Sequence, residues 1–209
     1  MDSRNEKKPA IIRAAFDVIM SRGVQALSFE TVAQSAGLSR QLIRYYFEDS
    51  EALMIALCDY LAELYRSALV SGVAKIEEKN RLDFFFDFYF DLLSDDSKPR
   101  DDQAYDAVFA WAAGSDQVRS NLSLQYGLLG QVVAHEIALK WPELSPEQCG
   151  ELSYLFVCLM YGHWKMVATL GYSSEHKYIT RRALDRLIDS YVRNSHDTLK
   201  PVKPWAQEI

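Results

Sequence analysis

The chain has 209 residues, 49% of them hydrophobic, and carries a formal net charge of −6. That length and composition allow one large or two small domains with a sizeable core, and they exclude a disordered tail. The charge is unevenly spread, since residues 1–50 hold seven bases against six acids while the remainder holds sixteen against twenty-three.

Apolar residues at 11, 12, 15, 16, 19 and 20 trace one stripe at helical spacing, and "SRG" at 21–23 closes a first helix with a glycine. Ser28 offers an N-cap to a short second helix carrying Phe29, Val32, Ala33 and Ala36. The stretch "GLS" at 37–39 then makes a tight turn into "RQLIRYYF", with Ser39 at the N-cap of a third helix. On that helix Leu42, Ile43, Tyr46 and Phe47 fall on one side, and Arg40, Gln41, Arg44 and Tyr45 on the other. One face is core and the other is displayed, which is how a recognition helix enters a DNA groove. A head of net charge +1 ahead of a body of net charge −7 fits that reading, because the body repels DNA and leaves the head to approach it.

From about residue 50, Leu53, Leu57, Leu61 and Leu64 stripe a longer fourth helix that leads away from the head. Beyond it, "RLDFFFDFYFDLL" at 81–93 is aromatic almost all round, with Asp83, Asp87 and Asp91 alone sharing a narrow stripe that reads as a solvated face. "SDDSKPRDD" at 94–102 is a polar loop, and helical patterns follow at about 103–114, 117–140, 146–171 and 175–194. The final "KPVKPWAQEI" carries two prolines and is expected to be extended. No strand pattern or repeat occurs, so the expected class is all-α. The expected domains are a helix-turn-helix head at 1–50, a helical body at 51–196 and a tail at 197–209. Cys58, Cys149 and Cys158 form no CxxC pair and no apolar leader opens the chain, which suits small core residues in a reducing cytoplasm. The longest apolar runs, such as "YLFVCLMY" at 154–161, fall short of the ~20 residues a membrane span needs, so no membrane partner is expected.

The stretch "IIRAAFDVIMSRGVQALSFETVAQSAGLSRQLIRYYFEDSEALMIAL", residues 11–57, resembles the TetR family of transcriptional regulators. It has the family's order of helix, glycine, Ser/Thr cap, "VAxxAGLS", recognition helix ending in Phe, and "SEAL" opening the fourth helix. The resemblance implies a three-helix DNA-binding head joined to a helical body that dimerises and binds a small molecule. It assigns base reading to Arg40 and Gln41, since Arg suits guanine and Gln suits adenine in the major groove. Tyr45 would pack on sugar or a thymine methyl, and Ser39 belongs to the same surface. Ser28 and Thr31 would meet phosphate with the backbone N–H groups of the second helix, and Lys7 and Lys8 would form a basic arm. Two positions depart from the family pattern. Arg44 stands where the family usually has a phosphate-binding Tyr, and Ser50 where a Lys is common. Arg44 can grip either phosphate or a guanine edge, whereas Ser50 offers one neutral hydrogen bond.

In the body, Phe85, Phe88, Tyr89, Tyr105, Phe109, Trp111, Tyr126, His135 and Trp164 are candidates to line a pocket for a small, largely apolar or aromatic effector. The resemblance implies a four-helix dimer interface from the last two helices, with Leu152, Leu155, Phe156 and Leu159 on one and Leu184, Leu187, Ile188 and Tyr191 on the other. A homodimer suits a palindromic operator, because one recognition helix contacts too few bases for specificity. The expected function is therefore a repressor released from its operator by an effector. The alternative is a DNA-binding regulator without an effector, controlled by a protein partner. An enzyme is not expected: HExxH, GxSxG and phosphate-cradling glycine loops are missing, and the histidines at 135, 163, 176 and 196 sit in no metal-ligand spacing with the cysteines. No cofactor is expected either.

Overall fold

The computed structural model describes residues 3–93, 101–196 and 202–206, and every described element is helical. In chain order the helices are α1 (Ser3–Arg22), α2 (Phe29–Ala36), α3 (Arg40–Tyr46), α4 (Ser50–Val73), α5 (Arg81–Tyr89), α6 (Asp102–Ala112), α7 (Asp116–Lys140), α8 (Pro146–Trp164) and α9 (Lys177–Arg193). Short 3-10 turns at Val24–Ala26, Glu78–Asn80 and Ser174–His176, and a π turn at Lys165–Thr169, connect or extend them. The residues form two compact units, one from Met1–Tyr65 with Pro99–Leu124, the other from Arg66–Lys98 with Gln125–Ile209.

In the first unit the head closes on a core of Ile11, Ala14, Ala15, Val32, Ala33, Ile43, Phe47 and Leu53. Each helix contributes the stripe its apolar spacing dictates, so α2 and α3, too short to be stable alone, are held against α1 and the start of α4. Between the head helices, α2 stops at Gly37, whose left-handed backbone (φ 64°) lets its N–H bond back to Ala33 and Gln34 carbonyls. The N-terminal basic segment is not a separate arm: Lys7 and Lys8 lie within α1, which starts earlier than the apolar stripe does. Pro9 stands in the second turn of α1, where its missing N–H removes one i→i−4 hydrogen bond. Elsewhere in this unit, Tyr65 donates to the buried Asp101 carboxylate at 2.9 Å and stacks edge-on with Tyr105 at 5.7 Å. Burial, reinforced by the Asp101 charge, pushes the Tyr65 phenol far up.

In the second unit the aromatic run forms α5, and Phe86, Tyr89 and Phe90 surround Phe156 of α8 with ring centroids 5.1, 5.7 and 5.9 Å away. The Trp164 indole N–H donates to the Tyr89 carbonyl at 2.8 Å. A capping box at Ser145 and Gln148, with Pro146 in the first turn, starts α8. The helical segment expected over 146–171 is present to Thr169, but it is α-helical only to Trp164 and continues as the π turn before the chain turns at Gly171 (φ 73°).

The aspartate stripe is a half-exposed, ion-paired face rather than a purely solvated one. Arg181 of α9, only 16% exposed, pairs with Asp83 at 3.2 Å and Asp87 at 3.1 Å and also with Asp185, while Lys140 of α7 reaches Asp83 at 2.5 Å. Asp91 instead gives its backbone carbonyl to Lys177 at 2.8 Å. An acidic stripe on a greasy helix thus meets the cations of two neighbours. The tail expectation also changes where residues are described, since Ala206 N–H bonds to the Lys203 carbonyl at 3.0 Å and closes a turn around Trp205. The rest of that tail, and most of the expected 94–102 loop, lie outside the described residues.

Candidate nucleic-acid interface

Local chemistry sets up the candidate interface before any partner is involved. Ser39 caps α3 by accepting from Leu42 N–H at 3.2 Å, and Ile43 and Phe47 anchor the helix at 0% and 3% exposure. With that face fixed, Arg40, Gln41, Arg44 and Tyr45 all point to solvent, Tyr45 at 65% exposure. Tyr45 is steadied by the Tyr46 ring, edge-on at 5.2 Å. No carboxylate among the described residues pairs with Arg40 or Arg44. Both guanidiniums can therefore take up phosphate or a guanine edge without breaking an ion pair.

The α2 N-terminus lies in the same head. Ser28 accepts from Thr31 N–H at 3.1 Å, while the Thr31 hydroxyl accepts from Ser28 N–H at 3.0 Å and donates to the Ala26 carbonyl at 2.7 Å. Thr31 is consequently occupied inside the capping box, and exposed Ser28 has the freer reach toward a phosphate. Ser50 opens α4, but the capping side chain is Asp49, whose carboxylate accepts from Ala52 N–H at 2.8 Å. Lys8 carries its ammonium over the Phe47 ring at 5.6 Å, which ties α1 to the end of α3. Sequence reasoning missed both the Asp49 cap and the Lys8 contact. "DSEA" at 49–52 carries the cap signal, whereas nothing local announces the lysine.

Residues 11–57 match the family model described as bacterial regulatory proteins, tetR family. The match lies within the three helices of the head and the start of α4. The regulator RutR of Escherichia coli K12 is 35% identical over 63 residues, a match that spans only 30% of this chain and 30% of RutR. A TetR-family regulator from Rhodococcus sp. superposes with a TM-score of 0.71 at 21% identity, over 88% of this chain and 99% of that one. A transcriptional regulator from Saccharomonospora viridis, solved with choline, superposes with a TM-score of 0.72 at 20% identity, over 88% and 96%. The fold shared with these two structures therefore extends along most of the chain, while sequence likeness concentrates in the head.

The body residues singled out from the sequence are dispersed. Tyr105, Phe109 and Trp111 belong to the first unit; Phe85, Phe88, Tyr89, Tyr126, His135 and Trp164 belong to the second. Phe85, Phe88 and Tyr89 are buried core and His135 is exposed. Burial pushes the Tyr89 phenol up as well. Among the residues assigned to a dimer interface, Leu152, Phe156, Leu184 and Ile188 instead fill the core of their own unit, each at 3% exposure or less. A helix's most apolar stripe faces its own chain first, so a partner would meet the half-buried flanks at Leu155, Leu159, Leu187 and Tyr191. Tyr191 already donates to Glu151 at 2.9 Å. Among the described residues no group of three or more His, Cys, Asp or Glu could hold a metal ion, and no helix is long and apolar enough to cross a membrane.

Proposed function

We propose that the protein is a DNA-binding transcriptional regulator that binds a palindromic operator as a homodimer, represses from it and is released by a small-molecule effector. The displayed face of α3, with two arginines that pair with no carboxylate among the described residues and a glutamine held over a packed core, carries this reading. Arg40 and Gln41 stand in the first turn, where side chains reach base edges, and Arg44 stands one turn on. Ser28 and the α2 N-terminus supply phosphate contacts that set the register. Dimerisation falls to α8 and α9 through Leu155, Leu159, Leu187 and Tyr191. Support for an effector comes from the helical body, whose fold is shared with a regulator solved with choline. The protein works in the cytoplasm, where its operator is.

The test is selection of bound duplexes from a random library at fixed moderate salt, because the phosphate contribution to affinity depends steeply on salt. Enrichment of a palindrome with half-sites about one helical turn apart, ~34 Å, is the expected result. Enrichment of a single unpaired site would contradict the dimer, and no enrichment would contradict sequence reading by the head.

A further inference from the structure

The chain's last described segment, 202–206, is seated on α7 and α8 rather than free. The Trp205 indole lies against Gly130 of α7 so closely that a methyl group there would overlap the ring. Pro204 lies over Gly150 of α8, 3.6 Å from where a methyl would stand. Between these points the indole N–H donates to the Ser153 hydroxyl at 2.9 Å, and the Tyr154 ring closes one side edge-on at 5.5 Å. Ser153 is fully buried, and its own proton goes to the Gly150 carbonyl at 2.8 Å, so a lone pair is left aimed at the indole. Each glycine destabilises its helix relative to alanine. What Gly130 gains for that cost is a flat wall on which an indole can lie.

We propose that Gly130, Gly150, Ser153 and Tyr154 form a binding site for a planar bicyclic aromatic with an N–H donor, of the indole class. The protein fills this site with its own Trp205. The tail is then an intramolecular competitor. A short tether gives such a competitor an effective concentration of about millimolar, so an outside ligand must exceed that threshold to displace it. Pro204 restricts the backbone and so reduces the conformational freedom the segment loses on docking. A ligand that takes the site releases the segment that straps α7 to α8. This inference does not depend on the DNA-binding reading.

The test uses full-length Trp205→Ala, with far-UV circular dichroism to establish that its helices are intact, titrated with indole by calorimetry. The variant is expected to bind indole at least tenfold more tightly than the unmodified protein. Benzofuran, which lacks the N–H, should bind several-fold more weakly than indole. Adding Gly130→Ala should abolish binding, whereas Gly127→Ala, with open space around its methyl, should leave it. A folded Trp205→Ala protein that binds indole no more tightly, or whose binding survives Gly130→Ala, overturns the proposal. Should Trp205→Ala fail to fold, chymotryptic cleavage after Trp205 decides between Gly130→Ala and Gly127→Ala in the otherwise unchanged chain. Faster cleavage in the first supports a seated indole, and equal rates overturn it.

Discussion

At the scale of single residues, Thr31 shows how a hydroxyl can stabilise the head without touching a ligand. It completes the α2 capping box and reaches the Ala26 carbonyl, so Thr31→Val should cost about 1–2 kcal/mol. For a chain of this size that is a fall in melting temperature of ~2–8 °C, and an unchanged melting curve would contradict the assignment. The cysteines divide in the same way by environment. Cys58 and Cys149 are buried, and burial with the nearby Asp59 charge pushes the Cys58 thiol up to about 12, while Cys158 is exposed. Mass spectrometry after brief alkylation of the native protein should find Cys58 and Cys149 protected. The sequence reading treated all three as core, and it fails for Cys158 because position 158 turns the outer side of α8 to solvent.

Among the elements, legibility followed the range of the interactions. The cap, glycine turn and apolar stripe of α2 and α3 are local signals, so the head could be read within a residue or two, with its displayed face correctly oriented. The Arg181 cluster could not, because its partners on α5 lie nearly a hundred residues away along the chain. Nor could the stripes of α8 and α9 reveal whether their leucines meet their own core or another chain, since both uses demand the same spacing. The tail carried no periodic signal, and only Trp205 between a proline and a turn marks it as something to seat.

The cluster also makes a prediction at this scale. Burial raises the Asp185 carboxyl above its ordinary value, Arg181 pulls it down, and Asp83 and Asp87 raise it again. A carboxyl raised in the folded state contributes stability below its unfolded value and loses it as pH rises through the folded one. Arg181→Ala removes the lowering influence and leaves the three aspartates facing one another, so its destabilisation should grow as pH rises from 4 to 7. Urea denaturation of both proteins across that range checks the sign. A deficit that shrinks with rising pH would contradict the ion-pair account.

For the molecule as a whole, net charge −6 is compatible with the proposed DNA binding because the proposed contact surface belongs to the part of the chain without net negative charge. The head has net charge +1 and shows its arginines on one helix face, while the remainder, at −7, disfavours unspecific adsorption. Affinity should accordingly fall steeply with salt while the sequence preference persists, because the two depend on different contacts. The central claim is that the displayed face of α3 reads DNA. Its most direct test compares binding of the duplex enriched by the unmodified protein with binding by Arg40→Ala/Arg44→Ala and by Arg182→Ala/Arg186→Ala, all at one salt concentration. The control pair removes the same charge from exposed positions on α9. At about 1–3 kcal/mol per base-reading arginine, the α3 pair should lose on the order of a hundredfold or more in affinity, and the α9 pair less than about threefold. Equal losses in the two pairs, with helicity intact in both, would mean that α3 does not read the operator.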